Sequence, residues 1–99
     1  MIILGIDPGT AVTGYGVIRV QGQRLRPVDY GVIRTSSELP LAQRLSLIHA
    51  HLAQLISSHR PDVAAVEELF FSRNARSALA VGHARGVALL AAAQEGIPV

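Results

Sequence analysis

Residues Ile2-Ile3-Leu4-Gly5-Ile6 form an apolar run that passes without a gap into Asp7-Pro8-Gly9-Thr10. Aliphatic residues over so short a length, stopped by a Pro-Gly pair, predict a strand covered on both faces. The carboxylate of Asp7 then stands at the mouth of a tight turn, where an enzyme would place a metal ligand. Two uses of Asp7 fit that position: opening the turn by bonding the backbone two residues on, or holding a cation. A second acidic strand end bears on the choice. Val63-Ala64-Ala65-Val66 leads into Glu67-Glu68 after a helix-like stretch from Leu41 to His59, and if both strands share a sheet their acidic ends converge.

Ninety-nine residues, 49% apolar and 16% charged, make one globular domain, residues 1–99, and exclude the disordered, collagen-like and coiled-coil classes. No run approaches the roughly 18 apolar residues of a membrane span. Asp7-Pro8 interrupts any signal-like start, so the expectation is a cytoplasmic protein with no membrane partner. The absence of cysteine excludes disulfides and thiolate metal sites. Net charge is only +2, yet all nine basic residues are Arg. That composition is compatible with nucleic-acid binding and does not demonstrate it.

Periodicity predicts the remaining elements. Thr13 to Val20 reads as a second strand, Gln21-Gly22-Gln23-Arg24 as a hairpin turn, and Leu25 to Thr35 as a third strand, half covered, with Val28, Tyr30 and Val32 alternating against Asp29 and Gly31. Leu41, Leu45, Ile48, Leu52 and Ile56 recur at steps of four and three, which places them on one helix face. Arg60-Pro61-Asp62 ends that helix, and a crossover into a parallel strand at Val63–Val66 follows. A second helix runs from Asn74 or Ala75 to Gln94, ended by Gly96 before Pro98, with Ile97-Pro98-Val99 as the first residues of another strand. Ala78, Gly82 and Gly86 repeat every fourth residue of this helix, a smooth stripe suited to packing within the domain or to a dimer interface. The fold class is α/β, a mixed sheet in the order β-β-β-α-β-α.

Three blocks in this order resemble the RuvC family of Holliday-junction resolvases, with their RNase H-like fold. They are Gly5-Ile6-Asp7-Pro8-Gly9-Thr10 continuing to Thr13-Gly14-Tyr15-Gly16-Val17-Ile18; Val66-Glu67-Glu68-Leu69-Phe70; and Asn74-Ala75-Arg76-Ser77-Ala78-Leu79 with Gly82-His83-Ala84-Arg85-Gly86-Val87. The resemblance implies an endonuclease of DNA recombination and repair that cuts two opposed strands of a four-way DNA junction. It further implies a homodimer, Mg²⁺ as cofactor with Mn²⁺ able to substitute, and a hexameric branch-migration motor as partner. Family catalysis uses four carboxylates, one replaced by His in some members. Asp7 matches the first and Glu67 the second, while the last two belong to a helix late in the family domain. The expectation is therefore that this chain is the N-terminal portion of a longer nuclease domain.

Phosphodiester hydrolysis suits such residues, because two divalent ions about 4 Å apart can serve both ends of an in-line displacement and hard cations prefer oxygen ligands. The resemblance makes Asp7 the ligand shared between the metals and Glu67 a ligand to one. It assigns Phe70 to stacking on an unpaired base, and Arg73, Asn74, Arg76 and Ser77 to backbone phosphates near a helix N-terminus. Phe70 and Phe71 also suit a core cap. Strand alternation turns Glu68 away from the face of Glu67. His49, His51, His59 and His83 lack ligand spacing beyond one helix turn and are expected to be solvated or packed.

Two other readings share the pattern. Asp7-Pro8-Gly9-Thr10 with Thr13 also resembles the first phosphate loop of actin-like ATPases and sugar kinases, in which Thr10 or Thr13 would touch phosphate. A non-catalytic DNA-binding module, or an RNA-directed nuclease of the same fold, would keep the architecture with another task.

Overall fold

The computed structural model describes residues 1–68 and 75–99, with side chains in the second span from Ala78 onward. The elements are β1 (Ile2–Asp7), β2 (Val12–Gln21), β3 (Arg24–Arg34), α1 (Leu41–His59), β4 (Val63–Val66) and α2 (Ala75–Gln94). They form a four-stranded sheet in the order β3-β2-β1-β4. The predicted mixed sheet and β-β-β-α-β-α order hold, with boundaries within two residues.

β1 pairs antiparallel with β2 and parallel with β4. Gly22, at φ 61°, takes the left-handed conformation of the hairpin between β2 and β3, a region that glycine enters without steric cost. A bulge between Val17 and Ile18 shifts the β2–β3 register. α1 ends at Arg60, in left-handed conformation, whose N–H donates to the Ile56 carbonyl at 2.8 Å. α2 ends in a Schellman arrangement: Gly96 N donates to Ala93 O at 3.0 Å and Ile97 N to Ala92 O at 2.9 Å. The chain then returns to the sheet, where the Pro98 carbonyl accepts from Ala64 N at 2.8 Å. That bond lies alongside β4, but residues 97–99 do not form the strand that the sequence suggested.

The core lies on one face of the sheet. Leu4, Ile6, Val17 and Ile33 pack there against Ile48, Leu52, Leu55 and Ile56 of α1 and Ala88 and Ala91 of α2. Two expectations need correction. First, β1 is not covered on both faces: among the described residues the opposite face is open, with Ile18, Tyr30 and Val32 at 38%, 80% and 47% exposure. Val28 is the extra residue of the bulge, and register explains why Tyr30 and Val32 do not enter the core. Tyr30 pairs with Gly16 and Val32 with Gly14, the face of Gly5 and Asp7, whereas Ile33 pairs with Thr13 on the helix-bearing face. Second, Leu41 remains 43% exposed. The buried stripe of α1 is Ile48, Leu52, Leu55 and Ile56, and Leu55 joins it because it lies one turn from Leu52.

On α2 the fully buried small residues are Ala84, Ala88, Ala91 and Ala92. Of the stripe Ala78, Gly82 and Gly86, the first two are half-buried and Gly86 is exposed. A Cβ at Gly86 would meet nothing within 4 Å.

The contrast along α1 is measurable. Leu52→Ala, at a fully buried site, should cost about 2–5 kcal/mol by leaving a cavity. Leu47→Ala, at a position 49% exposed, should cost less than about 0.5 kcal/mol. Urea unfolding of the two variants checks both, and equal losses would contradict the helix orientation.

Candidate functional site

Parallel pairing brings the two acidic strand ends together. Ile6 lies opposite Val66, and the ladder continues one step as Glu67 N donates to the Ile6 carbonyl at 3.0 Å. Asp7 and Glu67 therefore project beside each other from adjacent strands on the open face, and both are exposed. A cavity of about 760 Å³ spreads from them across that face, lined in part by Gly5, Gly16, Tyr30 and Ala65. Glycines at two of these positions leave the sheet backbone uncovered beside the acids.

The pair interacts directly. The Glu67 carboxyl is pushed above the ordinary carboxylate range, first by its hydrogen bond with Asp7, then by the Asp7 charge, and last by desolvation. Two carboxylates in contact disfavour double ionisation unless a cation lies between them. Hard oxygen donors set side by side in this way fit a divalent ion, which is commonly held by one or two carboxylates with water and substrate phosphate. Among the described residues no group of three or more His, Cys, Asp or Glu side chains gathers at one place.

The turn after Asp7 is held by hydrogen bonds that sequence reading did not anticipate. Thr13 is 1% exposed, and its hydroxyl donates to the Gly9 carbonyl at 2.5 Å and accepts from Gly9 N at 3.3 Å. A Cβ at Gly9 would collide with the Val12 carbonyl, so only glycine fits. The Thr13 hydroxyl is thus committed to the backbone, which removes one of the two threonines that the kinase-like reading offered to a phosphate. On the other strand end, Arg85 of α2 donates from Nε to the Glu67 carbonyl at 3.1 Å. Asp62 accepts from Ile2 N at 2.7 Å through its side chain, while its own N donates to the Ile2 carbonyl at 2.8 Å. The Gly-x-x-x-Thr spacing and the Pro-Asp before β4 were the available signals, but neither discloses its partner without the sheet register.

Of the other candidate residues, Phe70, Arg73 and Asn74 lie outside the described residues, as does Phe71. Arg76 and Ser77 fall in the first turn of α2, within the helical backbone but outside the described side chains. Glu68 is exposed beyond the end of β4. Two histidines have partners other than metal: His49 Nε2 lies 2.7 Å from Gln94 Oε1, and His59 Nε2 lies 3.0 Å from Asp29 Oδ2.

Residues 3–99 match the family model described as crossover junction endodeoxyribonuclease RuvC. Over the whole chain it is 60% identical to the crossover junction endodeoxyribonuclease RuvC of Desulforamulus reducens and 56% identical to that of Heliobacterium modesticaldum, covering 61% of each relative. Among solved structures, Thermus thermophilus RuvC in complex with a Holliday junction substrate superposes with a TM-score of 0.94 at 40% identity. A second Thermus thermophilus RuvC structure gives 0.90 at 39%. All of this chain is covered in both, against 61% of each of those chains. The chain thus spans about three-fifths of the length of the relatives it matches.

The raised Glu67 carboxyl sets a pH dependence. Glu67 holds its proton to higher pH in the folded chain, so the pair's contribution is fully present below the ordinary Glu value of about 4.3 and is lost as pH rises through the raised folded value. Asp7→Asn removes the repulsion. In chelator-treated protein it should therefore melt above the parent at neutral pH, with the difference fading in acid. Identical melting curves at every pH would show that the two carboxyls do not interact.

Proposed function

Because the chain belongs to the RuvC family of crossover junction endodeoxyribonucleases, we propose that its acidic pair serves a structure-specific endonuclease that resolves four-way DNA junctions in recombination and repair. Residues 1–99 then belong to a single RNase H-like nuclease domain. The observation that carries this reading is the contact between Asp7 and Glu67 at adjacent strand ends on an open face. Such an opening admits a DNA backbone, whereas a closed pocket would suit a small molecule.

Asp7 and Glu67 would hold Mg²⁺, with Mn²⁺ as a substitute, through carboxylate oxygens. The chemistry available from a divalent cation there is charge stabilisation of the leaving oxygen and a lowered pKa for coordinated water. The residues of the chain supply the rest. Asp7 and Glu67 give negative charge on a rigid frame, and Thr13 and Gly9 fix the turn behind Asp7. Phe70 would stack on an unpaired base, and Arg73, Asn74, Arg76 and Ser77 would bind backbone phosphates by the family pattern.

A homodimer fits the outer side of α2, where Leu79 and Leu90 are 65% and 50% exposed and Gly86 faces open space. Two copies related by a two-fold axis would present two acidic pairs to two opposed strands. A hexameric branch-migration motor is the further partner that the family pattern implies. A cytoplasmic setting accords with the finding that no helix among the described residues is long and apolar enough to cross a membrane.

The reading is tested with the full-length protein, Mg²⁺ and a synthetic four-way junction. Asp7→Asn and Glu67→Gln should abolish paired nicks, reducing the rate by at least about 10³-fold, while junction affinity stays near the parent's. Intact junction binding without cleavage in the parent would assign a binding module instead. For the dimer, Leu90→Glu should shift sedimentation from dimer towards monomer, and an unchanged profile would remove α2 from the interface.

A further inference from the structure

The turn that follows Asp7 is fastened from outside the β1–β2 connection as well as from within it. Thr35, just past the end of β3, donates its hydroxyl to the Thr10 carbonyl at 2.5 Å, and its N–H donates to the Ala11 carbonyl at 3.1 Å. The same hydroxyl accepts from Nε of Arg44, in the first turn of α1, at 2.9 Å. Thr35 and Arg44 are both partly buried. With Thr13 on Gly9, the backbone carbonyls of Gly9, Thr10 and Ala11 are all engaged, the first by Thr13 of β2 and the other two by Thr35.

The order of donors gives this chain of bonds a direction. A guanidinium Nε can only donate, so the Thr35 oxygen must accept from Arg44 and turn its single proton towards Thr10. Arg44 thereby fixes the hydroxyl rotamer, and a charged donor strengthens the bond beyond it. Asp7 itself is exposed, without a packed surface to hold its side chain. Its placement therefore depends on the backbone on either side. The strand ladder secures the N-terminal side through Gly14 and β4, and the hydrogen-bonded turn secures the other.

We propose that Arg44 and Thr35 are positioning residues for Asp7, acting as a relay from α1 through the end of β3 to the Thr10 carbonyl, so that the cation-facing carboxylate is held in place from the helix layer. This rests on the nuclease reading above. Neither residue touches the cation or the DNA in this role. Arg44 acts only through Thr35, and Thr35 only through the backbone of the turn.

The full-length protein tests this with Mn²⁺ binding followed by electron paramagnetic resonance, junction affinity by gel shift and single-turnover cleavage. Thr35→Val should raise the Mn²⁺ dissociation constant and lower the cleavage rate by about tenfold each, the lower end of the range for residues that orient metal ligands. Junction affinity should change by less than about twofold, because phosphate contacts set it. Thr35→Ser, which keeps the hydroxyl, should restore both quantities. Arg44→Ala should reproduce part of the loss, and the double variant Arg44→Ala/Thr35→Val should be no worse than Thr35→Val alone, since the two act in series.

A second readout needs neither cation nor DNA. The carboxyl ¹³C resonance of Asp7 in chelator-treated protein should move in Thr35→Val and return in Thr35→Ser. An unmoved resonance, parent-like Mn²⁺ affinity in Thr35→Val, or additive losses in the double variant would overturn the proposal. A parent that neither binds Mn²⁺ nor cuts junctions would instead overturn the nuclease reading, and the resonance would still report whether the relay holds Asp7.

Discussion

The parallel pairing of β1 with β4 is the contact on which the rest of this structure depends. It runs from Ile3 opposite Val63 to Ile6 opposite Val66, and it brings together two segments separated by some sixty residues of chain. Closing so long a loop has an entropic cost that grows only slowly with length, and the burial of the α1 stripe against Leu4, Ile6, Val17 and Ile33 offsets it. Asp62 locks the register at its first step by bonding both polar groups of Ile2. A slip of one residue would turn Glu67 to the helix-bearing face and separate it from Asp7.

Packing and chemistry use opposite faces of the same sheet. On one, aliphatic side chains and the alanines of α2 make a tight layer. On the other, glycines at positions 5, 14 and 16 leave the backbone bare next to the acidic pair. The pair itself works against stability at neutral pH, because neighbouring carboxylates repel and Glu67 retains its proton more strongly than a free side chain would. Sites that hold like charges together commonly carry such a cost. Here the hydrogen bonds around Gly9, Thr10 and Ala11, with Arg85 on the Glu67 carbonyl, keep the strand ends from relaxing apart.

Much of this was legible along the chain, and the failures have specific causes. Element order, the hairpin at Gly22 and the ends of both helices follow from local signals: alternation, the 3.6-residue period, and glycine just past a helix. The two acids were legible as well, since each follows an apolar run directly. Coverage of the sheet was not. An apolar strand residue such as Val32 or Tyr30 reads the same whether it faces the helices or the open side, and only the pairing of β3 with Gly14 and Gly16 distinguishes them. The stripe on α2 was ambiguous for a related reason. Small residues at 78, 82 and 86 and at 84, 88 and 92 have the same spacing, so periodicity cannot say which set the sheet will meet.

By itself the sequence determined the α/β class, the placement of Asp7 and Glu67 at strand ends, and membership in a family, because these depend on residue types at short spacing. Tertiary structure alone decided that the two carboxylates stand side by side, that among the described residues their face of the sheet is uncovered, and that Thr13 and Thr35 bond the backbone behind Asp7, with Arg44 on the Thr35 hydroxyl. The physical reason is that hydrogen-bond partners and charge interactions depend on distance in space. Strand register converts separations of tens of residues into contacts of about 3 Å, and no local pattern in the chain encodes that register.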